Sequence, residues 1–390
     1  MKILFVVENY YPKMSGVPIV VKYLAENLFD LGHEITIVTR KVESHPNEEI
    51  IQGVNVRRFD IYYDKFKRHK GDKKNYINYV RNFECDVIIF ECSQCITTDL
   101  LLPYLSEMKQ LKIIHSHGFS GLTLKLFQKD SNLLSYLKNT FNWIKWRNYY
   151  LFKFKKYVGF FDIALCLSEV DSSINYLKRY VKNVYILSNA ADDMFFKCEK
   201  TNLNPINQYI TLKNKEYVIS IANYQKYKNQ IGILEQFYKS SANLDMIFIG
   251  SSNTKYYNEL CEKNEELKRM YPLKKVHLLT NVKRKDIPQI LLHSKIYLVG
   301  STFEEFSISL IEAMAVGVPF ISTNVGNAKL LPGGITLQKI EQMNKVIDML
   351  NNDTQLYTEL SQKGKVYARD KCQIKTIIKH LEYIIESNIV

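Results

Sequence analysis

Apolar and polar positions at the start of the chain alternate between two kinds of segment. Residues 3–7, ILFVV, form a continuous apolar run, which is typical of a parallel strand covered on both faces. Between residues 20 and 31 the apolar residues recur at helical spacing, and Gly32 ends that pattern. Residues 33–39, HEITIVT, are strand-like again. The pattern predicts a β–α–β unit.

The alternation continues in two series with a pause between them. In the first series, strands are predicted at residues 54–61, 85–91, 112–117, 161–168 and 183–189. A polar, irregular stretch follows residue 190, and we interpret it as a connection between domains. In the second series, strands are predicted at residues 217–223, 244–251, 275–280, 296–301 and 319–323. The last forty residues have a helical pattern.

This organisation predicts an α/β protein with two doubly wound parallel sheets in tandem. We expect an N-terminal domain at residues 1–190, a second domain at 191–370, and a C-terminal helix at 371–390 that packs back on the first domain. We also expect the two domains to face each other across a cleft. Because parallel sheets present ligand-binding groups at the carboxyl ends of their strands, the chemistry should lie just after strands.

Composition excludes some classes of function. Apolar residues make up 46% of the 390 residues and charged residues 24%, which is ordinary for a folded protein. The net charge of +13 is compatible with nucleic acid, an anionic membrane or a phosphorylated substrate. The chain has no zinc-finger spacing and no basic zipper, so we do not predict a nucleic-acid partner. The seven scattered cysteines indicate reduced thiols, and no apolar run approaches the ~18 residues of a membrane span. We expect a cytoplasmic protein.

In the first half, candidate chemistry follows two predicted strands. Gly16 precedes the first helix, whose N-terminus has backbone N–H groups for an anion. His115 and His117 end the strand at 112–117. No third ligand of fitting spacing is near them in the sequence, so we predict no metal site. For His117, a catalytic or substrate-contacting role and a hydrogen-bonded turn histidine stay open as alternatives.

In the second half, Lys226 and Lys228 follow the strand at 217–223, where a lysine suits a phosphate group or is simply solvated. The stretch 301–323, STFEEFSISLIEAMAVGVPFIST, contains a loop and a helix that begins near Ser307 and ends at Gly317. Glu312 lies inside that apolar helix, where a carboxylate needs partners. The hydroxyls of a sugar would supply them, and so would a neighbouring lysine or arginine.

The stretch FEEFSISLIEAMAVGVPFISTNVGN resembles the signature E-G-F-G-L-P-L-L-E-A-M-A-x-G-x-P-V-I-A of the retaining GT-B glycosyltransferases of family 4. The first forty residues resemble the N-terminal domain of that family, and SNAADDMF is similar to its N-G-V-D-x-x-x-F element. The resemblance implies a GT-B fold and a nucleotide-sugar donor bound without a metal or other cofactor. It implies catalytic positions at His117 and Glu304. Donor-binding positions are implied at Gly16, Asn223, Lys228, Glu304, Phe306, Ser307, Ile308, Ser309, Leu310 and Glu312.

The resemblance also implies a reaction. It is transfer of a hexose from a nucleoside diphosphate sugar, with UDP favoured, to a saccharide or lipid-linked saccharide in cell-surface polysaccharide synthesis, with retention of configuration. The chain departs from the family pattern at Glu305 and Ser307, which replace glycines, and at Asn223, which replaces an arginine that Lys226 would have to substitute for. Two alternatives therefore stay open, a non-catalytic GT-B subunit that binds a partner protein and a nucleotide-sugar epimerase.

Residues 124–157 combine aromatic and basic side chains and include both tryptophans of the chain. Such a composition favours the interface of an anionic membrane, which would suit a peripheral protein with a lipid-linked acceptor. The alternative is a pair of helices with a buried aromatic face and a solvated basic face. The predicted membrane contacts are Trp143, Lys145, Trp146, Arg147, Lys153, Lys155 and Lys156.

Overall fold

The computed structural model describes residues 1–13, 16–66, 68–119, 121–122, 133–213 and 216–389, without the side chains of residues 133–136 and 138. The chain divides into two compact units. Unit 1 comprises Met1–Ser188 together with Ile377–Val390, and unit 2 comprises Asn189–Thr376.

Strands and helices alternate through most of both units, as the hydrophobic pattern predicts. The strands are β1 (Lys2–Val6), β2 (Glu34–Arg40), β3 (Glu48–Ile51), β4 (Val54–Phe59), β5 (Ile61–Tyr63), β6 (His69–Gly71), β7 (Val87–Glu91), β8 (Leu111–His115), β9 (Ile163–Cys166), β10 (Asn183–Ile186), β11 (Tyr217–Ile221), β12 (Asp245–Gly250), β13 (Lys275–Thr280), β14 (Ile296–Val299), β15 (Phe320–Thr323) and β16 (Gly334–Leu337). The α-helices are α1 (Val17–Asp30), α2 (Lys73–Arg81), α3 (Ile96–Leu101), α4 (Leu133–Asn148), α5 (Ile174–Tyr180), α6 (Asp193–Phe196), α7 (Gln230–Lys239), α8 (Lys255–Met270), α9 (Ile287–Leu292), α10 (Ile308–Val316), α11 (Met343–Asn352), α12 (Thr354–Lys371) and α13 (Ile374–Glu386).

The sheet of unit 1 has the strand order β10-β9-β8-β7-β1-β2-β4-β3. All its neighbouring strands are parallel except β3, which runs antiparallel to β4 at the edge. The chain reverses its direction of strand addition between β1 and β7. In an open α/β sheet, that switch point is where a crevice forms outside the carboxyl ends of the strands.

The sheet of unit 2 is parallel throughout, with the order β13-β12-β11-β14-β15-β16. Its switch point lies between β11 and β14. All six residues of β12 are buried, as expected for a strand with helices on both faces. The loops that follow β11 and β14 therefore meet at the position where this type of sheet binds ligands.

Several short strands were not predicted. The segment 54–61 was predicted as one strand, but β4 ends at Phe59 and Ile61 begins β5, which pairs with β6 in a separate hairpin. The edge strands β3 and β16 were also missed. Both are only partly buried, so their sequences lack the apolar run that identifies an interior strand.

The helical pattern predicted for the last forty residues is confirmed by α12 and α13. The last of these packs within unit 1 through buried residues such as Leu381 and Ile385. His33 Nε2 lies 2.8 Å from Glu382 Oε1, which links the helix to the loop before β2.

Candidate active site

The candidate residues fall into two sets, one in each unit. Gly16 and His117 belong to unit 1, and the candidates from Asn223 to Glu312 belong to unit 2.

In unit 2, Lys228 and Glu304 are brought together by two loops at the switch point. Lys228 ends a 3₁₀ turn after β11, and Glu304 lies in the loop after β14. Lys228 Nζ donates to Glu304 Oε1 at 2.5 Å, and Ser301 Oγ donates to the same oxygen at 2.7 Å. Both charged side chains are less than one fifth exposed, at 19% and 13%. The pair is therefore fixed near the carboxyl ends of two adjacent strands.

The two loops are also joined through their backbones. Thr302 N–H donates to the Tyr227 carbonyl at 2.7 Å. A side chain at the end of β15 also holds the second loop, since Thr323 Oγ1 donates to the Ser301 carbonyl at 2.6 Å. The loop that follows β15 packs against the loop of Glu304. Gly326 has a φ of +50°, and a β-carbon there would lie 2.7 Å from the Glu305 carbonyl oxygen. Glycine is therefore required for this close approach.

Helix α10 begins at Ile308 and ends at Val316, as predicted, and Gly317 caps it in the left-handed conformation with φ 81°. The first turn of any helix leaves N–H groups without an intrahelical acceptor, so its N-terminus suits an anion. The Ser307 N–H already has a protein acceptor. It donates to Asn327 Oδ1 at 2.9 Å. The N–H groups available for a ligand therefore start at Ile308.

The side chains at the start of α10 differ in their contacts. The Ser307 hydroxyl lies 3.1 Å from Ser309 Oγ. Leu310 is fully buried in the core, and Phe306 and Ile308 pack against it. The Leu310 side chain is therefore closed to a ligand, whereas Phe306 and Ile308 are partly exposed.

Glu312 has a protein partner. Its side chain is 7% exposed and forms an ion pair with Arg284, in which Arg284 Nη2 contacts Oε1 and Nη1 lies 3.5 Å from Oε2. Of the two partners considered from the sequence, the neighbouring arginine is the one that the structure shows. Arg284 itself is half exposed, at 53%, so the pair reaches the surface after β13. Burial raises the pKa of the Glu312 carboxyl, and the Arg284 guanidinium lowers it part of the way back.

Two candidates near Lys228 have other surroundings. The exposed Asn223 accepts a hydrogen bond at its carbonyl from Gln230 Nε2 at 3.1 Å. Lys226 is 75% exposed, and its Nζ lies 3.4 Å from Glu259 Oε2. Lys228 is therefore the lysine of this turn that the fold directs to Glu304.

In unit 1, Gly16 is the residue before α1 and has a φ of 65°. His117 lies beyond the end of β8, because the strand stops at His115 and His117 adopts a left-handed φ of 51°. The predicted strand at 112–117 is therefore two residues too long. His117 leaves the ladder at the carboxyl end of the sheet, where its side chain remains largely buried at 8% exposure.

A buried carboxylate joins the two histidines. Glu91 ends β7, and its Oε2 lies 2.5 Å from His117 Nε2 and 3.1 Å from His115 Nδ1. Although burial favours the neutral acid, the two histidines lower the pKa of the Glu91 carboxyl to about 2. Burial and the neighbouring His115 lower the pKa of His117.

The expectation that no third ligand lies near the two histidines was therefore wrong. Glu91, His115 and His117 each offer one ligand atom, and these atoms lie within 4.8 Å of one another. Two imidazoles and a carboxylate are ligands that Zn²⁺ accepts. The sequence spacing hid this group because Glu91 lies on the neighbouring strand.

The basic aromatic segment is partly described, since residues 124–132 lie outside the described residues. The predicted contacts lie on α4 and in the turns after it. Trp146 is 38% exposed, with Lys145 Nζ 5.3 Å from its ring centroid. The Arg147 guanidinium lies 5.1 Å from the Trp143 ring. Lys153 pairs with Asp99 at 2.7 Å. Among the described helices, none is both long and apolar enough to cross a membrane.

Sequence reasoning missed several residues of these clusters. They are Glu91, Ser301, Arg284, Gly326 and Asn327. Each follows or ends a parallel strand at its carboxyl end, so the criterion that selected Lys228 and Glu304 could have found them. Asn327 is 2% exposed, and its Nδ2 has no partner among the described residues, which leaves one buried donor beside the start of α10.

The two α/β units, each built on a largely parallel sheet, have the GT-B fold. The fold is similar to sucrose-phosphate synthase of Thermosynechococcus elongatus, with a TM-score of 0.73, 14% identity, and coverage of 99% of this chain and 98% of that one. It is also similar to HepE of Anabaena in complex with UDP, with a TM-score of 0.71, 16% identity, and coverage of 99% and 100%. HepE has also been solved in complex with UDP-glucose.

Sequence comparison finds a family match in unit 2 and a relative along most of the chain. Residues 206–332, which include Lys228, Arg284, Glu304 and Glu312, match the family described as glycosyl transferases group 1. The chain is 22% identical to N-acetyl-alpha-D-glucosaminyl L-malate synthase of Bacillus anthracis over 392 residues. The alignment covers 96% of this chain and 94% of that protein. This match within unit 2 confirms the resemblance to these glycosyltransferases.

Proposed function

We propose that the protein transfers a hexose from a nucleoside diphosphate sugar to a saccharide or lipid-linked saccharide. The observation that carries the proposal is the joining of Lys228 and Glu304 at the switch point of unit 2, inside the segment that matches the family. UDP is the favoured nucleotide, because the similar HepE structures contain UDP and UDP-glucose.

The chemistry of unit 2 suits a departing diphosphate. Negative charge develops on the leaving oxygen as the bond to the anomeric carbon breaks. Lys228 and the N–H groups at the start of α10 supply fixed positive charge for it. Glu304 orients Lys228 and presents its carboxylate to the hydroxyls of the transferred sugar, since an ionised carboxylate accepts hydrogen bonds only.

In the proposed reaction the acceptor oxygen bonds to the anomeric carbon on the face from which the diphosphate leaves. The electron pair of the broken bond goes to the diphosphate, which takes up the acceptor proton. Configuration is retained, and no protein nucleophile takes part. We propose that the step uses no metal or other cofactor, and that His117 is a catalytic residue.

The acceptor and pathway are part of the proposal. We propose a role in cell-surface polysaccharide synthesis, with the protein in the cytoplasm and peripheral on an anionic membrane. Support comes from α4, on which Leu137, Phe141 and Ile144 are spaced along one face and are 54%, 71% and 44% exposed. Basic residues accompany this face and the turns after it, and such a combination favours an anionic lipid surface.

A stepwise assay tests the proposal. Calorimetry with UDP, GDP and ADP first identifies the nucleotide, and we expect UDP to bind most tightly. Release of that nucleotide from UDP-glucose and UDP-N-acetylglucosamine is then measured in the presence of lipid-linked saccharides as acceptors. L-malate is tested as a further acceptor, because the Bacillus anthracis relative is named as an L-malate synthase. The anomeric configuration of the product is determined by NMR, and each reaction is repeated after chelation of metals.

The outcomes separate the alternatives. Acceptor-dependent release with a retained configuration and no effect of the chelator supports the proposal. Binding of a nucleotide without its release from any donor would favour a non-catalytic subunit. That alternative is considered because Asn223 and Glu305 depart from the family signature. Conversion of the donor sugar without an acceptor would identify an epimerase. Transfer to L-malate alone would retain the glycosyltransferase and overturn the saccharide acceptor.

A further inference from the structure

Arg284 forms an ion pair with a buried carboxylate, that of Glu312. Glu312 lies within α10 among apolar neighbours, and its side chain is 7% exposed. An ionised carboxylate in such a place is costly unless a cation compensates for it. Among the described residues, the cation paired with it is Arg284. The charge state of Glu312 therefore depends on a side chain from a different loop.

Arg284 is itself held in place. It belongs to the 3₁₀ turn Arg284–Asp286 that follows β13, and its guanidinium carbon lies 4.9 Å from the ring centroid of the buried Phe195. Asp192, which caps the start of α6, adds a second negative charge to the surroundings of both Arg284 and Glu312. The ring and the two carboxylates restrict where the guanidinium can lie.

The contact between the two side chains is asymmetric. Arg284 Nη2 contacts Oε1 closely, whereas Nη1 lies 3.5 Å from Oε2, at the limit of a hydrogen bond. A carboxylate has about four lone-pair sites. The pair therefore leaves Oε2 with acceptor capacity toward a ligand hydroxyl, while the guanidinium fixes the plane of the carboxylate through Oε1.

We propose that Arg284 is a positioning residue for ribose recognition: it holds the carboxylate of Glu312 ionised and oriented so that Oε2 accepts hydrogen bonds from the ribose hydroxyls of the nucleotide. The inference rests on the proposed function and on the family resemblance, which implies that Glu312 binds the ribose hydroxyls of a nucleotide in unit 2; the new part is the role of Arg284. It adds to that function a residue that determines specificity for ribose over deoxyribose.

The test compares each nucleotide with its deoxy analogues. The probes are UDP, GDP and ADP with their 2′-deoxy and 3′-deoxy forms, and affinity is measured by calorimetry. A hydrogen bond to a charged acceptor is worth about 10- to 150-fold in affinity, so the wild type should prefer the ribonucleotide by at least about tenfold. In Arg284→Gln this preference should fall to about threefold or less, since a neutral acceptor discriminates less.

Three further variants make the result specific. Arg284→Lys retains a cation and should restore a large part of the preference. Glu312→Gln should lose the preference, and the double variant Arg284→Gln/Glu312→Gln should lose no more than Glu312→Gln alone. Lys285→Gln removes the same charge from the next residue of the turn, which is exposed, and should keep the preference of the wild type. Thermal unfolding of each variant identifies any general loss of structure, which would not change the ratio of two affinities.

Each outcome has a consequence. A wild-type preference for ribose that persists in Arg284→Gln would overturn the inference alone. Tighter binding of the ribonucleotide in Arg284→Gln would also overturn it, because Arg284 would then compete with ribose for Glu312. An unchanged preference in Glu312→Gln would remove Glu312 from the ribose site and overturn the inference, with nucleotide binding intact. Absence of binding by all three ribonucleotides would overturn the proposed function and this inference with it.

Discussion

Lys228 Nζ lies 2.5 Å from Glu304 Oε1, across the two loops at the switch point of the second sheet. The strands before these loops, β11 and β14, are neighbours in that sheet. Sequence positions 76 residues apart thus form one charged pair at the place where this type of sheet binds ligands. Substitution of a residue of this pair therefore tests the proposed donor site directly.

We expect Lys228→Met to weaken binding of UDP. A hydrogen bond from a charged donor to a phosphate contributes about 1.5–3 kcal/mol, which corresponds to about 10- to 150-fold in affinity. Lys226→Met is the matched control, because it removes the same charge from the same turn, where Lys226 pairs with Glu259. Calorimetry should show a change of less than about threefold for the control. Equal losses in both variants would mean that Lys228 acts only through the general charge of the turn.

A second prediction concerns the loop beneath Glu304. In Gly326→Ala the new β-carbon would approach the carbonyl oxygens of Glu304 and Glu305 to 2.8 and 2.7 Å, at a φ that alanine rarely adopts. The loop must shift, so we expect UDP affinity to fall about tenfold or more and stability to fall by about 1–3 kcal/mol. The control is Gly159→Ala, whose nearest contact would be an ordinary 3.5 Å from the Tyr180 carbonyl oxygen. Wild-type affinity in Gly326→Ala would show that the loop tolerates the displacement.

The sequence predicted the parallel strands and α10 well, because interior strands and a buried helix have long apolar runs. It did not predict β3, which is a half-exposed edge strand of sequence EEII. Edge strands make their hydrogen bonds without an apolar run, so their pattern is weak.

For the candidate site, the sequence identified positions but not partners. It placed Lys228 and Glu304 after strands, and the fold brings them together. It did not identify Arg284 as the partner of Glu312 or Glu91 as the partner of His117. Partners across neighbouring strands depend on sheet order, and one chain's periodicity contains no information about which strands are adjacent.

The cluster of Glu91, His115 and His117 gives a prediction for pH dependence. Burial and His115 lower the pKa of His117, so we expect its imidazole to titrate below 6.5. Because the folded state then binds fewer protons than the unfolded state, His117 destabilises the fold progressively as the pH falls below about 6.5. In Glu91→Gln a charge that favours the imidazolium is lost, and the pKa of His117 should fall further.

The measurement is NMR of histidine-labelled protein across the pH range, with the His117 signal assigned by its loss in His117→Gln. The groups that face His117 are Glu91, His115 and Asp171, and Cys92 lies beside Glu91. Asp171→Asn is therefore the control for a general charge effect and should shift the His117 pKa less than Glu91→Gln does. A His117 that titrates at or above 6.5 in the wild type would contradict the prediction.

The last prediction concerns the exposed face that begins on α4. Phe141 and Phe152 are 71% and 67% exposed, and Lys155 and Lys156 lie in the turn after them. Burial of one such ring in a lipid interface is worth about 1.5–3 kcal/mol, and each lysine near an anionic surface about 1 kcal/mol. We expect co-sedimentation with phosphatidylglycerol-containing vesicles at low salt and weaker binding at high salt.

Phe141→Ser should reduce binding about tenfold or more, and Lys155→Gln/Lys156→Gln about 25-fold. Leu273→Ser removes an equally exposed apolar side chain from unit 2, at 79% exposure, and should leave binding unchanged. Absence of binding to anionic vesicles at low salt, or equal loss in Leu273→Ser, would remove the membrane surface from the proposed function and leave the donor site untouched.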